Sequence, residues 1–172
     1  VLNLMRHSEN IVILTGKAMD QEKTLQESLE TKNDDTRFAM SCYRLYVASI
    51  FDQYEIAMEQ LEEWNMHKGY LRQAIPGTFI VIIMYLHCAL ICISMAPKTK
   101  KRKYRKMARS FARAKEEWVD KGNPNVRRFD QLLKAEFASL DGNGSHAERH
   151  YETAILLCGR RGVLNDWPLA HQ

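Results

Sequence analysis

The stretch Val126–Cys158, VRRFDQLLKAEFASLDGNGSHAERHYETAILLC, decides the fold. Val126, Phe129, Leu133, Phe137 and Leu140 recur three or four residues apart, which is the spacing of one face of an α-helix. Asp141-Gly142-Asn143-Gly144 breaks that stripe with turn chemistry. Ser145 and Glu148 are then spaced as a capping box for a second helix. Its packing face is Ala147, Tyr151, Ala154 and Cys158, and its stop is Gly159 or Gly162. Two helices joined by so short a connection lie antiparallel, so the stretch predicts a helical hairpin over about residues 125–161.

The same pattern extends toward the N-terminus. Phe38, Cys42, Leu45 and Ala48 (or Ser49) share one helical face, and Ile56, Ala57, Leu61 and Trp64 share another beyond Asp52-Gln53-Tyr54. These predict a hairpin over about 36–66. Pro76-Gly77 separates it from an apolar helix, Thr78 to Ala96, which Pro97 is expected to close. A basic helix follows with Met107, Phe111, Ala114 and Trp118 in phase, ended by Gly122-Asn123-Pro124. The middle hairpin therefore spans about 78–121. Residues 1–35 read as a connector: a strand-like run Ile11-Val12-Ile13-Leu14, then a short charged helix, then a break at Asn33-Asp34-Asp35. The fold class expected is all-α, an α-solenoid fragment of stacked hairpins over 36–172.

Composition agrees with a folded domain. The 172 residues are 45 % hydrophobic and 27 % charged, which excludes an intrinsically disordered chain. Cys42, Cys88, Cys92 and Cys158 lie within apolar stretches without disulfide-framework spacing, which favours a reducing, cytoplasmic setting. Val1 at the start and a helix beginning at Trp167 to Gln172 read as cut edges of a larger protein. The net charge of +4 hides an asymmetry: Lys98 through Lys115 holds ten basic residues and no acidic one, so the rest of the chain is net acidic.

In the last hairpin Ala135, Ala147, Tyr151 and Ala154 have the 12, 4, 3 spacing of the small, small, aromatic and small positions of tetratricopeptide repeats. Alanine at a crossing lets two helix backbones approach, and the aromatic ring fills the gap beyond. In the first hairpin only Asp52 to Ala57 resembles that repeat, and the middle one departs further. The strings Arg44 to Phe51, Lys134 to Leu140 and Tyr151 to Ile155 resemble a helical region that follows an AAA-type ATPase module in large multidomain signalling proteins of hybrid histidine kinase, protein kinase or nucleotide cyclase type. In those proteins an ending like Asn165 to His171 leads into a further helix, usually with Ala where this chain has Pro168. The resemblance implies a non-catalytic scaffold that contacts adjacent domains and protein partners, and passes an upstream nucleotide-dependent change to an output domain. The phosphate-binding loop, phospho-acceptor box and metal carboxylates of the parent modules are not in this sequence.

Four features invite a chemical reading. Gly77 to Ala96 is twenty residues without a charge, followed by seven cations within Lys98 to Lys106, which meets the length and flank requirements of a membrane span. His87, Tyr85 and two cysteines dilute it, and a buried central helix of a helical array has the same composition. The basic block 98–115 suits phosphates, as nucleic acid or anionic lipid, although no sequence-reading motif accompanies it. His146 and His150 stand one helical turn apart without a third ligand or the His-Glu-x-x-His order, and Cys88 and Cys92 sit within the apolar helix as small core residues. Neither catalytic, cofactor-binding nor metal-ligating residues are assigned. The expectation is a scaffold without catalysis or cofactor, with a membrane anchor at 77–96 or a basic binder at 98–115 as alternatives.

Overall fold

A computed structural model describes residues 20–74, 79–120 and 126–159. These residues form seven α-helices and no strand: α1 (Gln21–Glu30), α2 (Asp34–Ile50), α3 (Tyr54–Ala74), α4 (Phe79–Thr99), α5 (Arg102–Asp120), α6 (Arg127–Leu140) and α7 (Gly144–Gly159). The chain is all-α, as its periodicity implies. Ile11–Leu14, Pro76-Gly77, Gly122-Asn123-Pro124, Gly162 and the ending from Asn165 lie outside the described residues. The chain divides into two compact units, Val1–Met84 and Tyr85–Gln172.

In the first unit α1 packs on α2 and α2 packs on α3. Asp20 caps α1 by accepting from the Lys23 N–H at 3.1 Å. The α1–α2 turn is Thr31-Lys32-Asn33, so the expected break at Asn33-Asp34-Asp35 falls earlier. Asn33 caps α2, its side chain accepting from the Thr36 N–H at 3.0 Å, while Asp34 and Asp35 occupy the first helical turn. Two carboxylates there face the positive end of the helix dipole, which is why they extend the helix rather than interrupt it. Along α2, Phe38, Cys42, Leu45 and Ala48 are all buried, as are Ala57, Leu61 and Trp64 on α3. Helix α3 continues to Ala74, beyond the expected end near residue 66.

In the second unit α6 packs extensively on α7 and α5 packs on α6. Tyr85 of α4 meets Phe111 and Trp118 of α5, with ring centroids 6.3 and 5.9 Å apart. The earlier residue of α4 meets the later ones of α5, so the pair runs antiparallel. Pro97 does not close α4, which continues to Thr99. Lacking an N–H, Pro97 forgoes the backbone bond to the Ile93 carbonyl one turn earlier. Thr99 Oγ1 also donates back to the Met95 carbonyl at 2.8 Å. Ser145 is not the cap of α7. Asn143, two residues earlier, takes that place: its side chain accepts from the His146 N–H, and the Ser145 hydroxyl donates to the same oxygen.

Three turns share one backbone device. Asn33 N–H donates to Ser28, Gln53 to Ala48 and Asn143 to Ala138, each five residues back. The residue before each donor is left-handed: Lys32 at φ 51°, Asp52 at 54° and Gly142 at 75°. This is the Schellman closure of a helix end. Only Gly142 adopts it without a Cβ penalty. Shifting by ninety residues superimposes the two hairpin registers, placing Leu45, Ala57, Leu61 and Trp64 at the stations of Ala135, Ala147, Tyr151 and Ala154. All of these are buried except Tyr151, which is half-buried and donates to Glu136 Oε1 at 2.7 Å.

Helix α4 is buried almost all round, including Val81, Ile82, Met84, Leu86, Cys88, Ala89, Ile91 and Cys92. By length and composition Ile80–Thr99 would suffice to cross a membrane, yet 67 % of that stretch is buried within the folded chain. All four cysteines are buried free thiols, and burial pushes Cys42 and Cys92 up to about 12. His87 is wholly buried, and desolvation of its charged form lowers it to about 4.

Two outcomes test this packing. Ala135 and Ala154 are essentially inaccessible, so Ala135→Leu or Ala154→Leu should destabilise by about 1–3 kcal/mol in urea titrations. A neutral result would mean that α6 and α7 are not in close contact there. His87 binds its proton more weakly folded than unfolded, so stability should be full above pH 6.5 and fall as pH drops toward 4. His87→Gln should remove a part of that slope worth roughly 1–3 kcal/mol, read by denaturation at pH 7 and pH 5. Equal slopes in both proteins would place the histidine in contact with water.

Candidate functional site

The basic block is divided by its own helix. Tyr104, Ala108 and Phe111 are the buried stations of α5, spaced four and three apart. Of the expected stripe Met107, Phe111, Ala114 and Trp118, only Phe111 is fully buried. The polar face opposite carries Arg102, Lys106, Arg109 and Arg113, all exposed, with Arg105 half-buried beside them. Those five recur at three- and four-residue steps, so they form one cationic stripe rather than a diffuse cloud.

The α4–α5 connection adds two further cations. Lys100 is left-handed at φ 54°, which reverses the chain within two residues, and α5 begins at Arg102. Lys100, Lys101, Arg102, Arg105, Lys106 and Arg109 line one concavity of about 450 Å³, with Ala96, Pro97 and Leu140 as its apolar part. Arg105 is fixed in it: its guanidinium donates to Asp141 Oδ1 at 2.7 Å and to the Leu140 carbonyl at 3.4 Å. That pair ties α5 to the α6–α7 turn. Both side chains are more than a third exposed, so its stabilising value is small. Among the described residues the side chains of Lys100, Lys101, Arg102, Lys106 and Arg109 have no carboxylate within ion-pair distance.

A second, smaller concavity of about 150 Å³ lies further along α5, lined by Arg109, Arg113, Asp130, Lys134, Ala112, Leu133 and Phe137. Here one of the three cations is paired, with Lys134 Nζ 2.8 Å from Asp130. The two cavities share a helix and differ in net charge.

The other candidates are placed elsewhere. His150 Nδ1 lies 2.8 Å from Gln131 Oε1, an interhelical bond between α7 and α6, while His146 is exposed. Among the described residues no group of three metal-ligating side chains converges. Cys88 and Cys92 are core residues of α4. Desolvation of the Tyr151 phenol, with the Glu136 carboxylate beside it, raises its pKa well above the usual value. It is therefore a neutral hydrogen-bond donor. Periodicity located the basic block but not its concavity. Asp141 reads in sequence as a turn residue, and nothing local reveals that it orders Arg105, thirty-six residues away.

Comparison with protein-family models, with curated proteins and with solved structures finds no match to this chain.

Proposed function

We propose that the chain is a non-catalytic helical-repeat scaffold of tetratricopeptide-like type, a segment of a larger signalling protein in a reducing, cytoplasmic setting. Its hairpins stack side by side as an α-solenoid fragment and present a surface to adjacent domains and protein partners. The observation that carries this reading is the register shared by α2–α3 and α6–α7: the same turn closure and the same four packing stations, ninety residues apart. Chains that build a core from repeated hairpins reuse one local solution, because each repeat meets only its neighbours.

Two further observations support it. The middle pair α4–α5 is also antiparallel and joined by a short connection, so hairpins follow one another along the chain. Helix α4 has the all-round apolar surface of an inner helix in a stacked array, and most of it is buried. That burial favours the scaffold over an anchor at 77–96. The link to an ATPase-associated signalling protein rests on the resemblance of the quoted strings alone.

Hydrogen exchange of the whole chain tests the repeat reading. A packing fault at Ala154 should lower amide protection in α6 and α7 and in the helices beside them, while α1 and α2 keep most of theirs. Uniform loss in every helix would indicate one cooperative core and would falsify the repeat reading. A chain that requires detergent and inserts residues 77–96 into liposomes would put the membrane anchor in its place.

A further inference from the structure

We propose that the cationic concavity at the α4–α5 turn is a binding site for a polyphosphorylated polyol, a compact ring or chain bearing several phosphate groups. The inference uses only the unit Tyr85–Gln172 and does not depend on the repeat reading.

Charge, shape and lining together select this ligand class. Six cations converge on one cavity of about 450 Å³, within the size range of small-ligand pockets. The Asp141 carboxylate engages one of them, Arg105, and leaves the other five without an anionic partner among the described residues. Held together on so small a surface, they repel one another and raise the local potential for a multivalent anion. Arginine supplies bidentate donors matched to phosphate oxygens, and lysine supplies mobile point charges. Arg105 is already ordered by Asp141 and Leu140, which reduces the entropy lost when it binds.

The lining argues against the larger anions. Among the described residues it contains no aromatic ring, and so no platform on which a nucleobase would stack. Among the described residues none of the exposed large apolar side chains, Leu29, Phe51, Ile80 and Leu156, lines it, so none of them would carry the cavity into a bilayer. A phosphoinositide headgroup and a soluble inositol polyphosphate present the same chemistry to this cavity.

Isothermal titration of the whole chain with inositol hexakisphosphate, at about 0.15 M salt, is the test. Saturable one-to-one binding is expected, weakened at least tenfold in Lys101→Glu/Lys106→Glu. Lys23→Glu/Arg127→Glu changes the net charge equally at exposed positions that do not line the cavity and should bind within twofold of the parent. Should the first variant lose its helical circular dichroism, Lys101→Gln/Lys106→Gln serves in its place. Co-sedimentation with vesicles containing phosphatidylinositol bisphosphate, reversed by the soluble ligand, would uphold the site with a lipid headgroup as its source. Soluble binding without co-sedimentation would uphold it with a soluble source. Absence of saturable binding, equal loss in both charge variants, or a DNA duplex that the hexakisphosphate cannot displace would each overturn it.

Discussion

The N–H of Asn33, Gln53 and Asn143 each reaches five residues back to the carbonyl of a small residue, Ser28, Ala48 or Ala138. This bond closes the helix behind it and requires the preceding residue to be left-handed, a conformation costing roughly 1 kcal/mol or more for any residue with a Cβ. The same three donors then open the next helix, since their carbonyls accept from Arg37, Ala57 and Ala147. One residue thus ends one helix and begins another. Reversal is completed within three residues, which keeps the entropy of closing each hairpin low. Burial then has only to select which faces meet.

Those faces are filled differently at equivalent stations. Where α6–α7 has Ala135 and Ala154, α2–α3 has Leu45 and Trp64. All four are essentially excluded from water, so each hairpin has adapted its surroundings to a different volume. This explains why the small-residue spacing visible in one hairpin is faint in the other. Turn geometry is held by backbone bonds and tolerates substitution, whereas interface volume is set pair by pair and drifts. The middle pair packs aromatic on aromatic, Tyr85 meeting both Phe111 and Trp118.

The helices themselves were legible because their signals are local. Phe38, Cys42 and Leu45, or Phe129 and Leu133, announce a buried face through spacing alone, and the structure buries each of them. Local rules misled where two applied at once. Pro97 is a breaker in mid-helix but is tolerated in a final turn, and Ser145 is a good cap that lost to Asn143, two positions earlier. What spacing cannot convey is convergence. The cationic cavity depends on Lys100 turning left-handed, on Arg105 reaching Asp141, and on Leu140 standing beneath them. Each is a relation between residues distant in sequence or a backbone state that lysine rarely adopts.

The contrast between the two concavities along α5 bears on why the charge is there. The smaller cavity shows how this fold accommodates a cation without strain: Asp130 stands one helical turn before Lys134 and neutralises it at 2.8 Å. An equivalent carboxylate among Lys100, Lys101, Arg102 and Lys106 would have cost nothing in packing, because all four side chains are exposed. Among the described residues, the carboxylate that reaches the group, Asp141, comes from the α6–α7 turn and orders Arg105 rather than neutralising the cluster. Stability therefore gives no reason for these charges to remain together, since exposed like charges at close range are at best neutral and are otherwise destabilising. A concentration of positive charge that the fold could have neutralised, and did not, is better explained by an anion than by the architecture that carries it.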